Sequence, residues 1–148
     1  MVGRKKNEMY GDGYYEDSSI EPGEYASESI RNIKLHSKYL KILSRERLSM
    51  IDLKDKLSIL RLEKLEHYTN PSRETAREKG WAIPPQGAIL KKEAPSYVEN
   101  DPGVVKLRQR LALQEEKVQA LLSIMDGVKS MGFAINRSIE WQKFVAGV

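Results

Sequence analysis

Five cations in one short segment have the spacing of a phosphate-binding helix face. Between Arg31 and Arg45 they recur at intervals of three, four, three and four residues: Arg31, Lys34, Lys38, Lys41 and Arg45. On an α-helix, at about 100° per residue, their side chains stay within a sector of about 80° and form a stripe about 20 Å long. Lys and Arg so arranged can follow a phosphate backbone, and each neutralised phosphate adds salt-sensitive affinity that is independent of base sequence. We call these five residues the basic stripe.

Four aromatic residues are candidates for stacking on nucleic-acid bases. Tyr39 lies within the stripe segment, Tyr68 further along the same predicted helix, and Trp81 and Trp141 beyond it. Stacking favours single strands over duplexes, because their bases are exposed. The alternative is structural: Tyr39 belongs to the core, Trp141 fills a groove between helices, and the cations form a solvated face.

The charges are distributed asymmetrically around a net charge of +4. From Asn7 to Ile30 every charged side chain is acidic, whereas cations predominate from Arg31 to Lys64. The acids of the first segment are Glu8, Asp12, Glu16, Asp17, Glu21, Glu24 and Glu28. This asymmetry indicates a polyanionic partner for the basic segment. The alternative is that the acidic and basic segments neutralise each other.

Catalytic and metal-binding patterns are missing from the sequence. There is no Cys, and the two His residues, His36 and His67, are too far apart on one predicted helix to face each other. No phosphate-binding loop, zinc-protease or nucleophile-elbow motif occurs. The carboxylate pairs at 52/55 and 115/116 lack the convergent surroundings of a metal or acid–base site. We therefore predict a protein that is not an enzyme and uses no metal or cofactor.

The first half of the chain is predicted to contain one long helix. Residues 1–19 are rich in Gly, Ser, Tyr and acids, and we predict a flexible acidic head there. Residues 20–148 are predicted to form a single helical domain. A helix should run from about Ser27 to Tyr68, which contains no Pro or Gly, and end at Asn70-Pro71.

A long connector and a second long helix are predicted to follow. The connector spans about residues 71–101 and is interrupted by Pro and Gly, apart from a possible short helix at 72–79. Asp101-Pro102 indicates a helix start, and this helix should reach about Met131. Gly132 is predicted to cap it in the left-handed conformation, with a short C-terminal helix at 133–144.

The pattern predicts an all-α fold of two long antiparallel helices plus a short C-terminal helix. The first helix is apolar on more than one face: Leu48, Ile51, Ile59 and Leu62 lie well round the axis from its main apolar side. A helix that is apolar on two faces is usually buried on both. We therefore predict a homo-oligomer. No apolar run approaches the ~20 residues of a membrane span and no signal peptide is recognisable, so we expect no membrane partner and a cytoplasmic location.

Several segments resemble the UvsY family of recombination mediators from T-even bacteriophages. They are Ile33-Lys-Leu-His-Ser-Lys-Tyr-Leu40, Leu65-Glu-His-Tyr68, Val128-Lys-Ser-Met-Gly-Phe-Ala-Ile135 and Phe144-Val-Ala-Gly147. Their order is that of the family, and the similarity covers about residues 20–70 and 100–147. The connector and the acidic head do not obviously correspond.

The resemblance implies a non-enzymatic helical protein that forms a heptameric ring. Such a mediator binds single-stranded DNA, weakens the grip of the single-stranded-DNA-binding protein and helps a RecA-like recombinase to load, in phage recombination, recombination-dependent replication and repair. It also implies DNA contact at a Lys-x-Arg pair near the end of the first helix. The second position of that pair falls on Lys64 and the first on Leu62, with Arg61 beside it.

The leading hypothesis is therefore a ring-forming recombination mediator in the cytoplasm of a host bacterium. Its candidate DNA-binding residues are the basic stripe (Arg31, Lys34, Lys38, Lys41, Arg45) together with Arg61, Lys64 and Tyr68. The alternative is a structural helical assembly protein whose basic face meets an acidic protein partner.

Overall fold

The computed structural model describes residues 25–147, which are predominantly helical. Four helices follow one another: α1 (Tyr25–Thr69), α2 (Arg73–Lys79), α3 (Ala94–Glu99) and α4 (Pro102–Val145). Residues 25–147 contain no β-strand, which confirms the predicted all-α class. The predicted acidic head, residues 1–19, lies outside the described residues.

The chain divides into two compact units, and both long helices contribute to each. Among the described residues, the terminal unit consists of 25–47 and 117–147, and the central unit is Leu48–Glu116. α1 and α4 contain no Pro beyond the first residue of α4, so each continues through more than ten turns. The division separates the basic stripe, in the terminal unit, from Arg61, Lys64 and Tyr68, in the central unit.

The terminal unit is an antiparallel helix pair. One face of α1 buries Leu35, Tyr39 and Leu43, and α4 buries Leu121 and Val128 among others. The Lys117 Nζ lies 3.3 Å from the Glu46 Oε1, while Gly132 faces Asn32, so increasing numbers on one helix meet decreasing numbers on the other. The buried face of α1 lies about 120° round the helix from the basic stripe, and this separation keeps the stripe in solvent.

Gly132 does not end a helix, and the prediction of a separate C-terminal helix is wrong. α4 runs without interruption from Pro102 to Val145. Gly132 instead permits a close approach, because a Cβ atom there would lie 2.8 Å from the Asn32 Nδ2. The glycine is therefore explained by packing on α1 rather than by a left-handed backbone.

The central unit is held by α1, α3 and α4. Leu57, Val98 and Val104 form its buried cluster, and partly buried side chains, including Leu60 and Leu107, pack around them. The Lys54 Nζ is 3.7 Å from the Glu115 Oε1, whereas a Cβ atom at Gly103 would lie 3.9 Å from the Lys64 Cε, so α1 and α4 are antiparallel here too. The two-helix antiparallel prediction is thus confirmed within each unit.

The connector is ordered and folds back on the end of α1. Ser72 caps α2 with its side chain, and Gly80, at φ 67°, ends α2 in the left-handed conformation. The Ile89 N–H donates to the Tyr68 carbonyl oxygen at 2.8 Å. α3 was not predicted: its six residues include Pro95 and are too few for a visible apolar period.

Large apolar side chains remain exposed in both units. In the central unit they include Leu48, Ile51, Ile59 and Leu62, each more than half exposed. Those four recur along one side of α1, as the second apolar face predicted from the sequence. By length and composition alone, α4 is also apolar enough to cross a membrane, which the sequence did not predict. The core helix of a soluble protein can have the same length and composition, and α4 buries Leu121, Val128 and Ile135.

Candidate nucleic-acid interface

The basic stripe lies on the solvent side of α1 in the terminal unit. Lys34, Lys38, Lys41 and Arg45 are exposed and Arg31 is partly exposed. Because all five residues lie on one uninterrupted helix, their side chains form a row of cations about 20 Å long. The structure therefore brings together the five residues that periodicity selected.

Most of the stripe is free to bind an anion. Within residues 25–147, Lys34, Lys41 and Arg45 make no ion pair or side-chain hydrogen bond. Arg31 is engaged, since one guanidinium nitrogen lies 3.4 Å from the Glu28 Oε2. An exposed, unpaired ammonium group needs to give up no protein contact when a phosphate approaches.

Tyr39 provides no stacking surface beside the stripe. Its side chain is buried at 2% exposure, and the Lys38 Nζ lies 5.3 Å from the ring centroid. The structural alternative for Tyr39 is therefore correct. Trp141, in contrast, is 65% exposed and stacks on Phe144, with ring centroids 5.6 Å apart. Trp141 does not fill a groove within the terminal unit.

Lys64 is buried in the central unit. Its side chain is only 7% exposed, and its Nζ lies 3.1 Å from the Asp101 Oδ2. The same Nζ lies 3.8 Å from the centroid of Trp81, a cation–π distance. A phosphate could reach this ammonium group only if the pair with Asp101 opened.

Asp101 uses both carboxylate oxygens. Its Oδ1 accepts from the backbone N–H groups of Gly103 (2.9 Å) and Val104 (3.3 Å), at the start of α4. Its Oδ2 accepts from the Tyr68 hydroxyl at 2.8 Å as well as from Lys64. Asp101 therefore caps one long helix and ties the other long helix to it.

These contacts shift two pKa values. Burial by itself would raise the pKa of Asp101, but the hydrogen bonds from Tyr68 and Lys64, the Lys64 charge and the Val104 N–H together lower it. Burial, followed by the hydrogen bond to Asp101 and the charge of that carboxylate, raises the pKa of Tyr68 to about 12. The carboxylate is thus charged and the phenol neutral at physiological pH.

Arg61 is also engaged, but nearer the surface. Its Nε and one terminal nitrogen donate to the two carboxylate oxygens of Glu99, at 2.8 and 3.3 Å. Arg108 donates to the same Glu99 carboxylate at 2.9 Å. Hydrogen bonds and charges from both arginines outweigh desolvation and lower the pKa of Glu99; the bond from Arg61 is the largest influence.

Trp81 packs on the end of α1. Its ring centroid lies 5.3 Å from that of His67, in an edge-on arrangement, and the Lys79 Nζ lies 4.7 Å from the ring. The Ala82 carbonyl oxygen accepts a hydrogen bond from the Nε2 of the buried His67, at 2.8 Å. Both His67 and Trp81 thus hold the connector against α1.

The eight sequence-selected residues therefore fall into two environments. The stripe forms one exposed row, whereas Arg61, Lys64 and Tyr68 belong to a network in the central unit. Sequence reasoning missed the partners of that network, Glu99 and Asp101. Asp101 was selected only as a helix cap, and no local pattern shows which distant cation a capping carboxylate will meet.

Metal binding has no support within the described residues. Across 25–147, no three His, Asp or Glu side chains are arranged to hold a metal ion.

The chain matches a family of single-stranded-DNA-binding proteins. The family model described as "Recombination, repair and ssDNA binding protein UvsY" matches residues 13–148. No curated protein sequence matches the chain.

Solved structures share the fold. The recombination mediator protein UvsY of bacteriophage T4, in crystal lattice type II, has a TM-score of 0.76 at 20% identity, over 93% of this chain and 95% of that one. The same phage protein in lattice type I has a TM-score of 0.73 at 21% identity, over 90% and 96%. Lattice type IV gives 0.72 at 18% identity, over 91% and 94%.

Proposed function

We propose that this chain, which belongs to the UvsY family of recombination, repair and single-stranded-DNA-binding proteins, contacts single-stranded DNA first through the basic stripe. The observation that carries this assignment is the contrast in availability among the cations of α1. Lys34, Lys41 and Arg45 are exposed and unpaired within the described residues, whereas Lys64 is buried against Asp101.

The expected binding mode is electrostatic and independent of base sequence. A row of cations on an uninterrupted helix can neutralise successive phosphates, and Tyr39, the aromatic residue within the stripe segment, is buried and cannot stack on bases. A flexible single strand can adjust its backbone to the stripe more easily than a duplex can. Contact at Arg61, Lys64 and Tyr68 remains a prediction, and contact at Lys64 requires its pair with Asp101 to open.

Assembly into a ring is the second part of the proposal. The exposed apolar side chains of α1 in the central unit, Leu48, Ile51, Ile59 and Leu62, suit burial between subunits. A ring would repeat the stripe around its circumference, so that weak contacts add through high effective concentration. A monomer mass that is independent of concentration in light scattering would contradict this part.

As a ring-shaped mediator, the protein would hold a strand while a recombinase filament starts. We propose that it weakens the hold of the single-stranded-DNA-binding protein and helps a RecA-like recombinase to load, in the cytoplasm of a phage-infected bacterium. No bond is made or broken in this process, so it is not an enzyme. Order-of-addition assays of recombinase binding on coated strands test this step.

A structural assembly protein with an acidic protein partner remains the second candidate. The exposed apolar face favours assembly in either case, and DNA binding separates the two functions. If the chain assembles but shows no salt-sensitive affinity for single strands, the second candidate is preferred.

The decisive experiment is a fluorescence-anisotropy titration of labelled single-stranded and duplex DNA at several salt concentrations. The variant Lys34→Gln/Lys41→Gln/Arg45→Gln should weaken single-strand binding and flatten the plot of log affinity against log salt by about 2, at about 0.7 per lost phosphate contact. The matched control removes the same charges from exposed positions of the central unit that form no ion pair among residues 25–147: Lys91→Gln/Lys92→Gln/Arg110→Gln. Equal losses in both variants would contradict a stripe-specific site.

A further inference from the structure

An acid-rich segment precedes the basic stripe in the sequence. Between residues 8 and 24 there are six acidic side chains and no basic one. They are Glu8, Asp12, Glu16, Asp17, Glu21 and Glu24. We propose that this acid-rich segment occupies the basic stripe in the absence of DNA and competes with the strand for it. The inference rests on the stripe being the DNA contact.

The cations needed for such a contact are available. Lys34, Lys41 and Arg45 are exposed and unpaired within residues 25–147, on the helix that begins directly after the acidic segment. A carboxylate and a phosphate oxygen present similar acceptors to an ammonium or guanidinium group. The same surface can therefore accept either polyanion, but not both at once.

One acid of the same run already meets the stripe. Glu28 is the last of the acids that precede Arg31, and its Oε2 lies 3.4 Å from the Arg31 guanidinium. The Glu28 side chain is only 10% exposed, so this contact is sheltered from solvent screening. A carboxylate that follows the acid-rich segment is thus already paired with a stripe cation within the described part of α1.

The acid-rich segment is long enough to reach every cation of the basic stripe. Seventeen residues, 8–24, reach at most about 55 Å when extended, and the stripe is only about 20 Å long. The segment joins α1 at Tyr25, about 9 Å along the helix axis from Arg31. A tethered polyanion has an effective concentration in the millimolar range at its own stripe. Weak pairs are therefore enough to compete with DNA without blocking it.

Competition between the acid-rich segment and DNA should change the number of counterions that are released when DNA binds. If carboxylates already neutralise stripe cations, DNA displaces protein acids instead of small ions at those positions. Fewer counterions are then released per bound strand, and the salt dependence of DNA affinity is shallower. Removing the acids should both tighten binding and steepen the salt dependence.

The test uses the full chain with all six acids of residues 8–24 replaced by their amides. Anisotropy with a labelled single strand should show binding about five-fold tighter at low salt, and a log–log salt slope steeper by about 0.7 for each cation released. The control amidates six acids in the described part that form no ion pair there, which changes the net charge equally. These are Glu66, Glu74, Glu78, Glu93, Glu116 and Asp126.

A third variant tests whether the tighter DNA binding depends on the basic stripe. Amidation of the acidic segment in the background Lys34→Gln/Lys41→Gln/Arg45→Gln should give little or no tightening, because the competed site has been removed. Persistent tightening there, or equal tightening by the six-acid control, would overturn the inference and indicate a long-range field effect.

Failure of this inference can be told apart from failure of the proposed function. If the wild-type chain binds single strands through the stripe, but amidation changes neither affinity nor slope, only the competition is wrong. If neither the wild-type chain nor the amidated variant binds DNA, the DNA-binding function itself is wrong. An acidic protein that binds the stripe only after amidation would support the same autoinhibitory contact with another occupant.

Discussion

The two halves of α1 differ in the exposure and the pairing of their cations. In the terminal unit the stripe lies in solvent and Lys34, Lys41 and Arg45 have no ion-pair partner among the described residues. In the central unit Lys64 is buried against Asp101 and Trp81, and Arg61 holds Glu99. The same residue types at similar helical spacing thus stay available in one half and hold the fold together in the other.

Burial decides which role a cation has. An exposed ammonium group retains its water and can exchange it for a phosphate, whereas a buried one has already exchanged its water for a carboxylate. The comparison predicts that mutations in the central unit change stability and that mutations in the stripe change salt-dependent affinity.

Lys64→Ala should have the largest effect on stability. The substitution leaves the Asp101 carboxylate buried without its cation and removes the stem that lies over Trp81. We expect the free energy of unfolding in urea to fall by about 3 kcal/mol. Lys41→Ala is the matched control and should stay within about 0.5 kcal/mol of wild type. A Lys64 variant as stable as wild type would show that the two halves of α1 do not differ as described.

Acid should selectively weaken the central unit. Because folding lowers the pKa of Asp101, the unfolded chain binds a proton more readily at this group than the folded chain does. The stabilisation is fully present above the ordinary carboxyl pKa and is lost as the pH falls through the lowered folded value. Urea titrations from pH 6 down to pH 3 should show a shallower pH dependence for Asp101→Asn than for wild type. Superimposable slopes would exclude Asp101 as a contributor.

Arg61→Ala should have a smaller effect than Lys64→Ala. The Arg61 side chain is 40% exposed, and Glu99 keeps its second partner, Arg108. We expect a loss of less than about 1 kcal/mol in thermal or urea unfolding. Since high salt screens a surface pair, the loss should shrink in 1 M salt. Equal losses for Arg61→Ala and Lys64→Ala would remove the distinction between surface and buried pairs.

Lys41→Gln should have the smallest effect on stability and a measurable effect on DNA. One phosphate contact fewer should lower the single-strand salt slope by about 0.7 and leave the unfolding curve unchanged. Lys91→Gln, at an exposed position of the central unit, is the control and should change neither quantity. An unchanged salt slope for Lys41→Gln would exclude this lysine from the interface.

Much of the architecture was predictable because it depends on local rules. The absence of Pro and Gly from 27–68 predicted α1, which the structure extends by only a few residues at its ends. Ser72 and Gly80 fixed the short α2, and Asp101-Pro102 marked the start of α4. Gly132 was misread because a glycine that ends a helix and one that admits a neighbour look alike in sequence.

The sequence by itself determined the spacing of the basic stripe, since helical periodicity turns positions 31 to 45 into one row wherever the helix is placed. Only the tertiary structure decided which cations are available. Lys64 looks no different from Lys41 in sequence, yet the chain returns through the connector and brings Asp101 and Trp81 to Lys64 and not to Lys41. Availability depends on burial and on partners 17 and 37 residues away, and no local pattern encodes such distant contacts.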